Sequence, residues 1–365
     1  MSTRHDPSSQ SLARQSRGVP AFESIVAGPA EHDPLSDVLR AVRLTGALYF
    51  VWHVSWPYVT PVPSGRLFAP VILPGAQQII SYHIVTQGSC WGGLIGEPPV
   101  RLEAGDIFLI PHGDAYVMSN SAQTCSDARP QGKSGLEFFR QMAAGELPFV
   151  VTEGSGDPAT HLVCGFLGCD VRPFNPVLGA LPRLVHLRGS PNAAKTRLQS
   201  LLDLTLAEAR EGGPGSHCML VRLSELMFVE VVRRCLTEAS AAQGGWLAAL
   251  RDPVVGRALM HLHRVPGAAW TLERLAAEVG TSRSRLAESF ARLVGQPPMQ
   301  YITRWRMQIA ARMLAQGSAK VATVAQEIGY ESEAAFSRAF KRMCGLSPAQ
   351  WRRQAVDSAS AGRRA

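Results

Sequence analysis

Five side chains in the N-terminal half of the chain are of types that bind metal ions or react with oxidants: His83, Cys90, His112, His161 and Cys164. The spacing His161-x-x-Cys164 can chelate zinc, which takes imidazole and thiolate ligands. Cys90, Cys164 or Cys169 could sense an oxidant if its thiol were exposed and its pKa lowered. Histidine and cysteine are also common structural residues, so we expect packing roles first and keep zinc binding and thiol sensing as alternatives.

Short apolar segments must position these side chains. The segments are rich in β-branched and aromatic residues and are separated by proline or glycine, which is typical of strands. The predicted strands are Ala47–Val54, Gln78–Thr86, Val100–Leu102, Ile107–Ile110 and Tyr116–Met118. A short helix is predicted over residues 33–40. This pattern favours a small β-barrel or sandwich.

One segment of this region resembles the second conserved motif of cupin barrels. It runs Gly105-Asp-Ile-Phe-Leu-Ile-Pro-His-Gly113 and is followed by Tyr116 and Asn120. Tyr116 stands where the motif has its metal-binding histidine, and the first motif's His-x-His is missing, with only His83 nearby. We therefore expect neither a facial metal triad nor an enzyme, and no cofactor unless zinc binds at the alternative site.

Two helical segments follow, about 193–210 and 217–238, divided by Gly212-Gly-Pro-Gly-Ser216. The second is apolar around much of its circumference, including Leu223, Leu226 and Val232. One face can pack on the predicted strands of the same chain, and a homodimer interface would cover the other. Burial of the whole helix within one chain is the alternative, and we expect the homodimer.

The last hundred residues contain a repeated pattern. Leu275-Ala-Ala-Glu-Val-Gly280 returns 49 positions later as Val324-Ala-Gln-Glu-Ile-Gly329. Gly-x-x-Pro-x-Gln-aromatic begins at Gly295 and again at Gly345. In each copy an apolar helix ends at glycine, and a second helix begins with a serine cap and carries basic residues. The pattern predicts two helix-turn-helix units.

Ser282 and Ser332 are the expected caps of the second helices. A stiff helix from Pro298 to about Leu314 would join the two units. If this helix holds the two second helices about one turn of duplex apart, roughly 34 Å, both can enter successive major grooves.

Charge is distributed unevenly along the chain. Residues 251–353 carry 16 Lys and Arg against 7 Asp and Glu, whereas residues 1–250 carry 19 against 21. The formal charge of +8 therefore resides almost wholly in the repeated segment. A basic region attached to a near-neutral one indicates a polyanion partner for the former, and double-stranded DNA is the expected one.

The segment 246–354 resembles the DNA-binding domain of the AraC/XylS family of bacterial transcription regulators. The likeness is carried by Leu275–Gly295, Tyr301–Leu314, Val324–Arg342 and the Pro348-Ala-Gln-Trp-Arg run. The resemblance implies a tandem helix-turn-helix domain that reads DNA. Because activation is the commoner mode of regulation in this family, it also implies an activator with RNA polymerase as a partner.

The resemblance also implies the positions that contact DNA. In the first unit they are Ser282, Arg283, Ser284, Arg285, Ala287 and Glu288; in the second they are Glu333, Ala334, Ser337, Arg338 and Lys341. Ser282, Arg283 and Lys341 fall near phosphates and the others face the groove. Arginine can bridge guanine O6 and N7 and glutamate can accept from cytosine N4, whereas alanine offers only a methyl contact. Part of the specificity is therefore expected from DNA shape.

The expected fold class is α+β and multidomain. Residues 1–30 and 355–365 are polar and lack periodicity, which predicts disordered tails. Between them we expect a cupin-like sensing domain over 31–190, a helical linker for dimerisation over 191–245 and the DNA-binding domain over 246–354. No apolar run is long enough to span a membrane, the N-terminus lacks a signal-peptide pattern, and seven cysteines without framework spacing are typical of a cytoplasmic protein.

These features together predict a cytoplasmic transcription regulator that reads specific DNA sequences and responds to an unidentified small molecule or oxidant sensed by the N-terminal barrel. A metal-dependent cupin enzyme with a DNA-binding tail is the alternative. An architectural DNA binder with little sequence preference is a third class.

Overall fold

A computed structural model describes residues 33–41, 44–129, 133–189, 196–238, 245–317 and 319–361. The predicted N-terminal tail lies outside these residues. No helix in the described ranges is both long enough and apolar enough to cross a membrane.

The N-terminal region is built mainly of strands. In chain order its elements are α1 (Pro34–Ala41), β1 (Leu44–Val54), β2 (Val59–Val62), α2 (Gly65–Ile72), β3 (Gln78–Gln87), β4 (Ser89–Leu94), β5 (Val100–Glu103), β6 (Ile107–Ile110), β7 (Tyr116–Ser119), α3 (Ala122–Asp127), α4 (Glu137–Ala143), β8 (Val150–Glu153), β9 (Thr160–Cys169), α5 (Pro176–Ala180) and β10 (Val185–Leu187). The five predicted strands and the predicted first helix are confirmed. The central strand β9 was not among the predicted strands.

The strands form two sheets. The larger has the order β10-β6-β3-β9-β1-β8, and the smaller has the order β2-β7-β4-β5. Neighbouring strands are antiparallel except for the parallel pair β1 and β8. In the described residues no strand of one sheet pairs with a strand of the other, so of the two expected forms, a barrel or a sandwich, the structure has the open two-sheet form. The edge strands β8 and β10 are short, which leaves few backbone groups available for closure.

The C-terminal half is helical. Its elements are α6 (Arg197–Glu211), α7 (Ser216–Glu238), α8 (Trp246–Arg251), α9 (Val255–Arg264), α10 (Leu272–Glu278), α11 (Arg283–Val294), α12 (Pro298–Gln316), α13 (Val321–Glu327), α14 (Glu333–Cys344) and α15 (Pro348–Ala361). The two linker helices and the connecting helix α12 are confirmed. The segment predicted as a C-terminal tail is helical as far as Ala361, where α15 ends.

The described residues form three hydrophobic cores. The inner faces of the two sheets enclose one core, with Phe108, Tyr116 and Phe166. The outer face of the larger sheet packs on α6 and α7, and this second core continues through α1, α8 and α9 into the first helix-turn-helix unit as far as Trp305. The second unit has a third core, from Met307 to Cys344.

The larger sheet is buried on both faces, as a central sheet between two layers must be. Alternate residues of β3 serve different cores: Ile80 and Tyr82 face the helices, whereas Ile79 and His83 face the smaller sheet. Tyr82 lies opposite Gly165 of β9, and its ring covers that glycine. Its hydroxyl reaches Ser224 of α7 at 3.4 Å, so the ring connects the sheet to the linker helix.

We expect Gly165→Ala to destabilise the fold by about 1–3 kcal/mol, because the added methyl would overlap the ring of Tyr82. Urea unfolding followed by circular dichroism measures this loss. Gly179→Ala is the matched control, since no heavy atom lies within 4 Å of the Cβ position there. The double variant with Tyr82→Leu should recover part of the loss, and equal stabilities of Gly165→Ala and the control would contradict this packing.

Candidate DNA-binding interface and sensing region

The first helix-turn-helix unit consists of α10, a tight turn and α11. Leu275, Ala276 and Val279 are buried, and Gly280 adopts a φ of 68° at the turn. Ser282 caps α11, with its hydroxyl accepting the Arg285 N–H at 3.3 Å. The predicted cap and turn are confirmed.

The second unit, α13 to α14, repeats this plan. Gly329 adopts a φ of 81°, and the Ser332 hydroxyl accepts the Ala335 N–H at 3.2 Å. Phe336 and Phe340 are fully buried. Burying only this stripe leaves the rest of α14 at the surface, as a recognition helix requires.

The positions implied as DNA contacts lie on the surface of these two helices. Those that are exposed are Ser282, Arg283, Ser284, Arg285, Glu288, Glu333, Ala334, Arg338 and Lys341. Ala287 and Ser337 are half-buried. Each unit therefore presents a polar helix face, and contact of these residues with DNA remains a prediction.

The cations on these faces differ in their surroundings. Arg283 donates to Glu273 of α10 at 2.7 Å, and this guanidinium holds the pKa of the Glu273 carboxyl below its ordinary value. Arg285, Arg338 and Lys341 pair with no carboxylate of the described residues. Three charges are therefore available to a phosphate or a base edge, whereas Arg283 must exchange a partner to reach DNA.

In the sensing region, three of the five candidate side chains come together inside the two-sheet core. His83 lies opposite Cys164 across the β3–β9 pair, and Cys164 shares the two-sheet core with Cys90 of β4. Nε2 of His83 and the Tyr116 hydroxyl share a hydrogen bond of 2.6 Å, which joins the two sheets. Burial lowers the pKa of His83 to about 3, so its imidazole is neutral at physiological pH.

The other two candidates lie elsewhere. Nε2 of His112 donates to the Leu181 carbonyl at 2.9 Å. The ring of His161 stacks on His53 with centroids 3.9 Å apart. His161 and Cys164 are three positions apart on one strand and point to opposite faces, because strand side chains alternate. In this geometry the two side chains do not share one face, so the spacing does not favour zinc chelation by this pair, which was kept as an alternative.

The inner cluster does not fit a cupin metal centre. Tyr116 occupies the position of the missing histidine and uses its hydroxyl to bind His83. No group of three or more His, Cys, Asp or Glu among the described residues is placed to hold a metal ion. Burial also raises the pKa of Cys164 well above its ordinary value, which disfavours the thiolate that a metal ligand requires.

The thiols proposed as redox sensors share this environment. Cys90, Cys164 and Cys169 are buried, and burial raises the pKa of Cys90 and of Cys169 to about 12. The exposed cysteine is Cys218 of α7, which the sequence interpretation did not single out. Its exposure depends on how α7 packs, so composition alone carried no signal for it.

A buried polar network joins the sensing region to the first helix-turn-helix unit. The Tyr301 hydroxyl of α12 accepts from Trp246 Nε1 at 2.8 Å and lies 2.7 Å from His263 Nε2. His263 Nδ1 lies 3.7 Å from the Asp37 carboxylate of α1. Four helices from both halves of the chain thus meet at one group of side chains.

Gln308 makes the most direct connection between the halves. Its side chain is buried, its Nε2 donates to the Ala41 carbonyl at 2.9 Å, and its Oε1 accepts the Phe174 N–H at 3.0 Å. The sequence pattern did not indicate this role of Gln308. The available signal was a glutamine next to apolar residues on the buried face of α12.

A cleft of about 360 Å³ lies along this junction. Its walls include His112 and Phe174 from the sensing region and Trp246, Tyr301 and Arg304 from the helical half. The Arg304 guanidinium lies over the Phe174 ring at 4.2 Å and donates to Gln296 at 3.0 Å. No carboxylate of the described residues pairs with Arg304, and burial lowers its pKa. The cleft thus presents a partly desolvated cation beside aromatic rings.

The N-terminal and the C-terminal region both match known protein families. Residues 33–237 match the family described as Cupin, and residues 275–354 match the Helix-turn-helix domain family. A putative AraC-like transcription regulator of Streptomyces antibioticus is 33% identical over 323 residues, which are 88% of this chain and 98% of that protein. The regulator AlkR of Acinetobacter baylyi is 30% identical over 76% of this chain and 89% of its own length.

A further relative is the RCS-specific HTH-type transcriptional activator RclR of Escherichia coli. It is 26% identical over 76% of this chain and 86% of its own length. Together, the matched families and the near-full-length relatives show that the chain belongs to the AraC-like, DNA-binding transcription regulators and combines an N-terminal cupin region with a C-terminal helix-turn-helix region.

Proposed function

We propose that this regulator reads two adjacent DNA elements with α11 and α14, and that an effector controls this reading through the sensing region. The second core supports this proposal, because it runs without a break from the outer face of the larger sheet into the first helix-turn-helix unit. A change in the packing of the sensing region alters the contacts of α12, which belongs to both units. A coupling of about 1–3 kcal/mol is enough for a usable switch.

A small molecule suits this control better than an oxidant. Cys90, Cys164 and Cys169 are buried and their thiols have raised pKa values, so they react slowly. The cleft between the halves, in contrast, offers aromatic walls and the Arg304 guanidinium. An anionic aromatic or aliphatic effector in this cleft would contact both halves at once and so could favour one arrangement over another.

We further propose that the protein is a regulator without enzymatic activity, and an activator that works with RNA polymerase. Tyr116, which binds His83, stands at the motif position where a cupin enzyme has a metal-binding histidine. The name of the Escherichia coli relative, a transcriptional activator, supports activation.

A homodimer is proposed on the linker helices. Met219 and Leu226 of α7 are exposed by 39% and 51%, and Leu204 of the adjacent α6 by 44%. Apolar side chains of this size gain stability when a second copy covers them. The opposite face of α7 already packs on the larger sheet through Met227 and Val231.

Selection of fragmented bacterial genomic DNA by the purified full chain tests the proposed function. We expect enrichment of sites that hold two elements about 10 base pairs apart. On the selected site, Arg338→Ala should weaken binding by about 1–3 kcal/mol and should affect random DNA far less. Arg292→Ala is the control, because Arg292 is exposed near the end of α11 but is not among the implied contacts. Equal losses on selected and random DNA would refute specific reading by Arg338.

Gln308→Leu tests the connection between the halves. The change leaves the Ala41 carbonyl and the Phe174 N–H without their partner, which costs about 1–3 kcal/mol for each buried group. We expect faster hydrogen exchange at residue 174 and in α12, together with a smaller response of DNA binding to the effector. Thr303→Val, on the same helix, removes only a local bond to Met299 and should leave both readouts unchanged.

Thiol reactivity separates a small-molecule sensor from an oxidant sensor. Near pH 8, the exposed Cys218 should react with a thiol-specific reagent before Cys90, Cys164 and Cys169. Because the pKa of Cys90 is raised to about 12, its thiolate fraction, and so its rate, should keep rising with pH well above pH 9. Peptide mapping after timed labelling measures each rate, and early modification of Cys90 or Cys164 would favour oxidant sensing instead.

A further inference from the structure

The relative placement of the two helix-turn-helix units rests on more than the helix that joins them. α12 contributes Tyr301 and Trp305 to the core of the first unit and Met307 and Leu314 to that of the second. The two cores are separate, so a bend or twist of one helix between them would change the distance between α11 and α14. A second contact between the units is needed to prevent this.

The structure contains such a contact at two glycines. Gly267, in the loop before α10, meets Gly329, at the turn of the second unit. A Cβ added to Gly267 would lie 2.5 Å from the Glu327 carbonyl oxygen, and one added to Gly329 would overlap the Gly267 carbonyl. Gly329 also requires its positive φ, whereas Gly267 has an ordinary φ, so the close approach of backbones alone demands glycine at 267.

Arg306 of α12 holds the loop in this position. Its Nε donates to the Pro266 carbonyl at 2.8 Å, and its Nη2 donates to the Ala268 carbonyl at 2.6 Å. These two carbonyls flank Gly267 on either side. A planar fork with fixed donors can bind both carbonyls at once, which an ammonium group does less well.

We propose that Gly267, Gly329 and Arg306 form an interunit contact that sets the distance between the two recognition helices and thereby determines which spacing of two DNA elements the chain accepts. Arg306 is a positioning residue here, since it acts through the loop. The inference rests on the proposed reading of two adjacent elements. A rigid connection concentrates the binding of the second unit at one spacing, whereas a loose connection spreads it over several.

A spacer series tests the interunit contact. Duplexes carry the two selected elements at the optimal spacing or with the spacer one or two base pairs longer or shorter, and further duplexes carry one element alone. Affinities of the full chain are measured for the wild type, Gly267→Ala and Arg306→Lys. We expect the ratio between the best and the neighbouring spacing to fall by about tenfold in both variants, or the optimum to shift, while single-element affinities stay within about twofold.

Matched controls isolate the interunit contact. Gly179→Ala adds a methyl where no described atom outside its own helix and chain neighbours lies within 4 Å, and Arg312→Lys changes an arginine of α12 that donates to Gln316 of the same helix. Both should keep the wild-type spacing profile. If Gly267→Ala fails to fold, as judged by circular dichroism, the profile of Arg306→Lys decides alone.

The spacer series has three possible results, and each has a different meaning. A wild-type chain that binds the two-element site no better than a single element refutes the proposed function itself. A wild type with a sharp spacing optimum, and variants that retain this optimum or lose affinity equally at every spacing, overturns the interunit contact while the two-element reading stands. Flattened or shifted profiles in the variants alone support the interunit contact.

Discussion

The connecting helix α12 is buried on most of its circumference, and both helix-turn-helix units and the sensing region pack around it. Its apolar residues enter two cores, with Trp305 in one and Leu314 in the other. A helix apolar on several sides is stable only when other elements surround it. Three parts of the chain cover α12: the first helix-turn-helix unit, the second unit and the sensing region. Displacing any of them would expose part of the helix.

The polar residues of α12 determine how the buried helix is oriented. Gln308 binds the backbone of the sensing region at two places, and Arg306 binds the loop before the first unit. A buried polar group without a partner is costly, so a rotation or shift of α12 that broke these hydrogen bonds would destabilise the fold even if apolar packing were kept. Hydrophobic packing thus stabilises the helix, and hydrogen bonds select its orientation. A shift of Ala41 or Phe174 would therefore act on α12 through the same side chain, Gln308.

Much of this architecture could be predicted from local patterns. The caps at Ser282 and Ser332 and the turns at Gly280 and Gly329 follow from residue type and spacing, because a helix end is settled within a few residues. The region of strands could be predicted for the same reason, although β9 was missed: its continuous apolar run is typical of a strand buried on both faces and lacks the alternation of a half-exposed strand.

Contacts between distant segments could not be predicted. Gln308 and Ala41 are 267 positions apart, and nothing in either residue specifies the other. The spacing of His161 and Cys164 could not be interpreted for a related reason: the spacing suits a shared zinc ion on a turn or helix, but on a strand it separates the side chains. The residues implied as DNA contacts lie on exposed helix faces, yet they carry opposite charge patterns at equivalent positions. Arg283 of the first unit corresponds to Glu333 of the second. Because the interunit contact would fix the order and distance of two unlike readers, the chain would recognise a DNA site that has a direction as well as a sequence.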